Sequence, residues 1–376
     1  MNAYTLLWIG LTAVYLKGKR TELQLKECKN TPFVSCVVPA CDEQEVIADI
    51  IRDLDRQKYR WLEIVVVCHN CVDHTYEEAL RVSTRHECKV LQLNTEDSGK
   101  ALALNYALKH CKGQLVAFFD ADNRVPEDFV TKSLPYFASG YDGIQAKILS
   151  KNASKNLLTY LQSSEFLLYP KAYCGGKMKL GYNSGVGGTG IMFKRSALDN
   201  LQGFRNLLIE DFDLTLRMTT KGYKIAYAEG VVTYDEKVTD WRHLIKQRSR
   251  WLAGYFQLWK LYTLKDKLRL MRYPLDFMYY VSPVCIVALL ANYILTSLSF
   301  IGIAFFTAPL WWWVLSLIIT NGLFTLTLRE EKMSWKRRII MPWQTSVFVL
   351  HWVIPLFYSF RIKKWSQAKT THGDSS

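Results

Sequence analysis

What most constrains this chain is a break in its apolar residues near position 272. Residues 17 to 272 mix charged and apolar side chains as an α/β unit would, whereas residues 273 to 360 are largely apolar and rich in aromatics. The run Val281 to Phe306 carries no charge. At about 1.5 Å per residue, a helix of that length crosses a hydrocarbon core of roughly 30 Å. Residues 310–328 form a second span, opened by Trp311, Trp312 and Trp313. Residues 340–360 are also apolar, but Pro342, Gln344, His351 and Pro355 point to a re-entrant or interfacial element. Residues 1–16 lack a basic start and a cleavage site, so they read as an anchor.

The formal net charge is +14. Its basic residues gather beside the apolar runs: Lys17, Lys19 and Arg20; Lys265 to Arg272; Lys336 to Arg338; and the tail 361–376. That placement marks the cytoplasmic face of a multi-pass membrane protein. Nucleic acid is not an expected partner, because the polar part carries no basic face. Nine cysteines without framework spacing read as reduced thiols. Cys68-His69-Asn70-Cys71, with His74, invites a zinc reading, but no second ligand pair accompanies it. In the region 236–272, aromatic and basic residues alternate from Trp241 to Lys267. This predicts an amphipathic helix in the bilayer interface, the alternative being a core helix.

Residues 30–235 alternate strand and helix. Short apolar runs at 34–38, 63–67, 89–93 and 114–119 are separated by segments of helical spacing at 43–57, 74–85 and 101–110. Such alternation predicts a mostly parallel sheet with helices on both faces. Ligands then bind beyond the carboxyl ends of the strands. Asp42-Glu43, Asn70 with Asp73, and Asp120-Ala121-Asp122-Asn123 all follow strands. Paired carboxylates there can hold Mg²⁺ or Mn²⁺ and, through it, a diphosphate. Asp73 also suits a helix cap. Gly99-Lys100 opens a helix and favours an anion. The Gly185 to Gly190 run reads as a substrate-facing loop, because no helix follows it as in a dinucleotide fingerprint. Glu210-Asp211 starts a helix, where the macrodipole alone would favour acids. Gln247, Arg250 and Trp251 share a helical face, Arg suiting phosphate.

In order along the chain, Glu43, Asn70-Cys71-Val72-Asp73, Gly99-Lys100, Asp120-Ala121-Asp122, Glu210-Asp211 and Gln247-x-x-Arg250-Trp251 resemble the membrane-bound family 2 glycosyltransferases. That group includes cellulose, chitin, hyaluronan and poly-N-acetylglucosamine synthases. The resemblance implies a GT-A-type, Rossmann-like fold and an inverting transfer from a UDP-sugar, UDP-GlcNAc or UDP-Glc. It gives Glu43, Asp73, Lys100, Asp120 and Arg250 to the nucleotide, and Asp122 to the metal. Asp211 is the general base beside Glu210, and Gln247 and Trp251 line the acceptor site. Relatives often carry Thr where Ile209 stands, which leaves donor identity open. The expected acceptor is a growing polysaccharide, with a homo-oligomer or a partner for export. The alternatives are transfer of one sugar to a lipid carrier or glycolipid, and a non-catalytic subunit of a capsule complex.

Overall fold

The computed structural model describes residues 3–18, 25–28, 30–284, 310–329 and 331–362, together with 287, 288, 291 and 298. Most of the candidate span 281–306 and the tail beyond 362 lie outside the described residues. Seven strands form one sheet: β1 Val34–Ala40, β2 Leu62–His69, β3 Glu87–Leu93, β4 Leu115–Phe118, β5 Gly143–Ser150, β6 Ile191–Lys194 and β7 Ile225–Asp235. Their order is β3-β2-β1-β4-β6-β5-β7. Strands β1 to β4 run parallel, and β7 is parallel to β5. Only β6 is reversed, against β4 and β5. The sheet is thus mostly parallel, as the alternation predicts.

Side chains of period two divide the core between the two faces. On one face Val34, Cys36, Val38, Ile64 and Val66 pack on Ile47, Ile50 and Leu54 of the helix Ile47–Asp55. On the other, Val37, Val65 and Val67 meet Ala103, Leu104 and Ala107 of the helix Lys100–His110. That same face takes Leu214 and Met218 of the helix Glu210–Thr220. Burial on both faces explains why the central strands read as unbroken apolar runs.

The helix Trp241–Leu261 forms where expected, but it is packed on two sides. Tyr255 and Leu258 cluster with Ile209, Phe212 and Leu216, while the helix Val353–Ser359 lies along it. Trp241, Arg242, Lys260 and Leu261 are its exposed residues, Trp241 to 50% and Leu261 to 46%. The N-terminal helix Ala3–Gly18 places Trp8 and Leu11 against Leu168, Phe324 and Met341. Its Tyr15 hydroxyl donates to Glu229 at 2.9 Å, and Glu331 pairs with Lys147 and Lys171.

Among the described residues, one helix is long and apolar enough to cross a membrane: Trp335–Ser359, 25 residues with a mean hydropathy of 1.4. By length and composition it could span, and it includes the segment 340–360, which is helical but changes geometry part-way. A 3₁₀ turn at Val349–Trp352 joins its two α-helical parts, and Pro355 follows where the hydrogen-bond ladder is already rearranged. The helix Leu310–Thr327 is apolar over its 18 residues.

Candidate active site

One cavity of about 1540 Å³ lies beyond the carboxyl ends of the parallel strands and continues between the C-terminal helices. Glu43, Lys100, Asp120, Asp122, Glu210, Asp211, Gln247, Arg250 and Trp251 all line it. Asp73 does not. Its carboxylate accepts from the Thr75 backbone at 3.0 Å and from the Gln44 backbone at 3.2 Å. The Thr75 hydroxyl in turn accepts from the Glu43 backbone at 2.7 Å. Asp73 therefore caps a helix and fixes the loop that carries Glu43. Asp42 and Asn70 at this rim have positive φ, 57° and 52°, which marks a locally constrained backbone.

The centre is built by four segments meeting at Gly188. Lys100 Nζ donates to Asp120 at 2.5 Å and to the Gly188 carbonyl at 2.8 Å. A Cβ placed on Gly188 would sit 3.0 Å from Asp211 Oδ2 and 3.7 Å from Lys100 Nζ. With φ of 76° as well, glycine is what admits the Asp211 carboxylate beside that lysine. Asn123 and Thr189 then hold the Asp120 backbone N–H at 3.2 and 3.0 Å. Burial works against the Lys100 ammonium, but Asp120, Glu210 and Asp211 outweigh it and hold its pKa above the usual lysine value.

Glu210 and Asp211 open the helix Glu210–Thr220, where the Phe212 N–H donates to Asp211 at 2.8 Å. Burial raises both carboxyl pKa values. Asp211 adds to the rise at Glu210, while Lys100 and Arg250 oppose it at both. Such a carboxylate is a stronger base than one in water. Arg250 donates to the Leu208 carbonyl at 3.1 Å. Gly254 brings the helix Trp241–Leu261 against Ile209, because a Cβ there would meet the Ile209 side chain at 2.7 Å. That contact sets the depth of the adjoining Glu210-Asp211 pair.

Trp251 is held by a buried arginine that the sequence did not single out. Arg248 is 2% exposed, lies 4.2 Å from the Trp251 ring and 4.8 Å from the Trp352 ring, and donates to Glu165 at 2.6 Å. Trp352 also donates to Glu165, at 3.2 Å. The guanidinium thus ties Trp251 to Trp352 in the C-terminal helices. Its signal was its place inside the Gln247 to Trp251 motif.

The model for the family described as "Glycosyltransferase like family 2" matches residues 31–254, which contain every one of these carboxylates. This chain is a family 2 glycosyltransferase. It is 29% identical over 375 residues to the "Beta-monoglucosyldiacylglycerol synthase" of Synechocystis sp., covering 91% of this chain and 75% of that one. It is 24% identical over 352 residues to the "Probable glycosyltransferase YdaM" of Bacillus subtilis, covering 89% and 84%. The mannosyltransferase PcManGT of Pyrobaculum calidifontis, solved with GDP-Man and Mn²⁺, superposes with a TM-score of 0.60 at 19% identity, covering 96% and 99%. The fold is accordingly GT-A-like.

The residues of this glycosyltransferase also fit a divalent cation. Asp235, at the end of β7, faces Asp120 and Asp122. Burial first, and then these two neighbours, push its carboxyl pKa up, against the pull of Lys237. Asp235 Oδ1 is buried with no hydrogen bond among the described residues. The orphaned Asp235 oxygen and the Asp120-Ala121-Asp122 pair offer the oxygen ligands a hard cation takes, but as placed the three carboxylates do not all lie within 4.8 Å of one another. Sequence reading missed Asp235 because its strand was not recognised. Asp42, Cys71 and Asp73 do lie within 4.8 Å of one another. Asp42 and Asp73, however, are occupied with the backbone N–H groups of Val72 and Thr75.

Proposed function

We propose that this glycosyltransferase moves one hexosyl or N-acetylhexosaminyl group from a UDP-sugar to a hydroxyl of a membrane lipid, by single displacement with inversion. The observation that carries the reading is the continuity of the cavity. It runs from Lys100 and Asp120, past Asp211, to Leu317, Phe324, Leu350 and Val353 on the C-terminal helices. A nucleotide site and an apolar slot share one space. The relatives named for glucosyldiacylglycerol synthesis support the same reading.

Asp211 takes the proton from the acceptor hydroxyl, whose oxygen attacks the anomeric carbon from the side opposite the diphosphate. Burial raises its pKa, which makes it a stronger base than a solvated aspartate. Lys100 and Arg250 stand where charge grows on the leaving diphosphate. A divalent cation held by Asp122, with Asp120 and Asp235 beside it, would supply further neutralisation of that charge. Glu43, kept in place by Asp73 through Thr75, faces the nucleoside end. Trp251 presents its ring on the acceptor side, and Gln247 lies on the same wall.

A second reading is extension of a polysaccharide. Gln247, Arg250 and Trp251 on the cavity wall favour it, as does a relative named "Probable glucomannan 4-beta-mannosyltransferase 14", of which the chain spans 48% of the length. Labelled UDP-glucose or UDP-GlcNAc with mixed lipid micelles separates the two. A labelled, organic-soluble product that is lost in Asp211→Asn supports the lipid acceptor, and a large water-soluble product contradicts it.

A further inference from the structure

Away from the chemistry, the cavity wall contains a buried ion pair that the reaction does not use. Lys177 and Asp276 are 0% and 1% exposed, and Lys177 Nζ meets Asp276 Oδ1 at 2.6 Å. Both line the cavity, and Asp276 Oδ2 has no hydrogen bond among the described residues. A buried carboxylate oxygen left without a donor is costly, so the arrangement calls for one. Aromatic rings separate this pair from the base. Lys177 lies 4.8 Å from the Tyr173 ring, Tyr173 is 4.9 Å from Tyr279, and Tyr279 is 5.0 Å from Phe212, which follows Asp211. Asp276 therefore cannot serve the hydroxyl that reacts at Asp211. The pair also carries no net charge. Elsewhere on the wall, Lys100, Lys237 and Arg248 are matched by Asp120, Asp235 and Glu165. A second phosphate would meet the Asp276 oxygen rather than a spare cation.

We propose that Lys177 and Asp276 form a subsite for a non-reacting hydroxyl on an uncharged acceptor head, so that the preferred acceptor is a lipid bearing a sugar or polyol. Asp276 Oδ2 accepts from that hydroxyl, and Lys177 Nζ donates to its oxygen. The reacting hydroxyl of the same head reaches Asp211 along the wall of Tyr173 and Tyr279. This rests on the lipid-acceptor reading above and names the kind of head that the site selects.

The test compares KM for monohexosyldiacylglycerol, plain diacylglycerol and phosphatidic acid in mixed micelles with the full chain. The wild type should prefer the hexosyl lipid and use phosphatidic acid poorly. Asp276→Asn should lower the preference for hexosyl over plain diacylglycerol about tenfold, the loss expected for a hydrogen bond to a charged group. The paired change Lys177→Met with Asp276→Leu removes both charges together, so no lone buried ion is left to unfold the protein. It should show the same loss of preference. An unchanged ratio in either folded variant overturns the subsite, as does equal KM loss for both neutral lipids. If the wild type labels no lipid at all, it is the lipid-acceptor reading that fails, and the subsite falls with it.

Discussion

At the residue scale, the account turns on two adjoining carboxylates taken out of water. Burial raises the pKa of Glu210 and of Asp211 above their ordinary values of 4.5 and 3.8. The native state therefore binds these protons more tightly than the unfolded chain. Their contribution to stability is greatest below the ordinary values and is lost as pH rises through the raised ones. Glu210→Gln should then raise Tm at neutral pH, and the gain should vanish near pH 4, where the wild-type group is already protonated. Calorimetry across that range checks the sign. The transfer rate should fall on the acid side at a pH above the usual aspartate range, as the pair titrates together. A rate flat from neutral pH down to pH 4 would remove Asp211 from the role of base.

At the scale of elements, the helix Trp241–Leu261 is the part that sets the site's depth. Gly254→Ala would ordinarily favour a helix interior, but here a Cβ meets Ile209 at 2.7 Å. Gly254→Val should cost about 1–3 kcal/mol of stability through overpacking. It should lower kcat more than it raises the KM for donor, because it displaces Glu210 and Asp211. Urea denaturation and steady-state kinetics read the two effects. Elements of this kind were only partly legible in the sequence. Strands β1, β2 and β4 stand out because both faces are buried, and the carboxylates that follow β1 and β4 fall where the topology requires. Strand β7, Ile225–Asp235, contains Glu229 and Gly230 and crosses a register shift against β5, so its apolar signal is broken and Asp235 goes unseen. Asp73 matches a motif, and in the structure it bonds the Thr75 hydroxyl and the backbone N–H groups of Thr75 and Gln44 rather than lining the cavity. Lys177 and Asp276 lie 99 residues apart, and nothing local links them. In 340–360, Pro342 sits inside the helix Trp335–Phe348 and Pro355 just beyond a 3₁₀ turn, so the segment is helical despite both prolines.

At the scale of the whole molecule, the sheet, the N-terminal helix and the C-terminal helices enclose one space. Arg248 joins Trp251 to Trp352, and Glu331 joins the C-terminal region to Lys147 and Lys171, so the C-terminal helices are tied to the rest of the cavity wall. The three carboxylates near the diphosphate end should make transfer depend on a divalent cation. Dialysis against EDTA should abolish sugar transfer, Mn²⁺ or Mg²⁺ should restore it, and Asp122→Asn should weaken the response to added Mn²⁺, read as activity and as a metal-dependent rise in Tm. The claim beneath all of this is that a hydroxyl on a lipid reaches Asp211 while the nucleotide-sugar occupies the same cavity. The most direct measurement is thin-layer chromatography of the organic phase after incubation with labelled UDP-sugar and lipid, for the wild type and for Asp211→Asn. The account predicts a labelled glycolipid from the wild type and none from the variant, with donor binding retained in both. An equal yield of glycolipid from Asp211→Asn would contradict it.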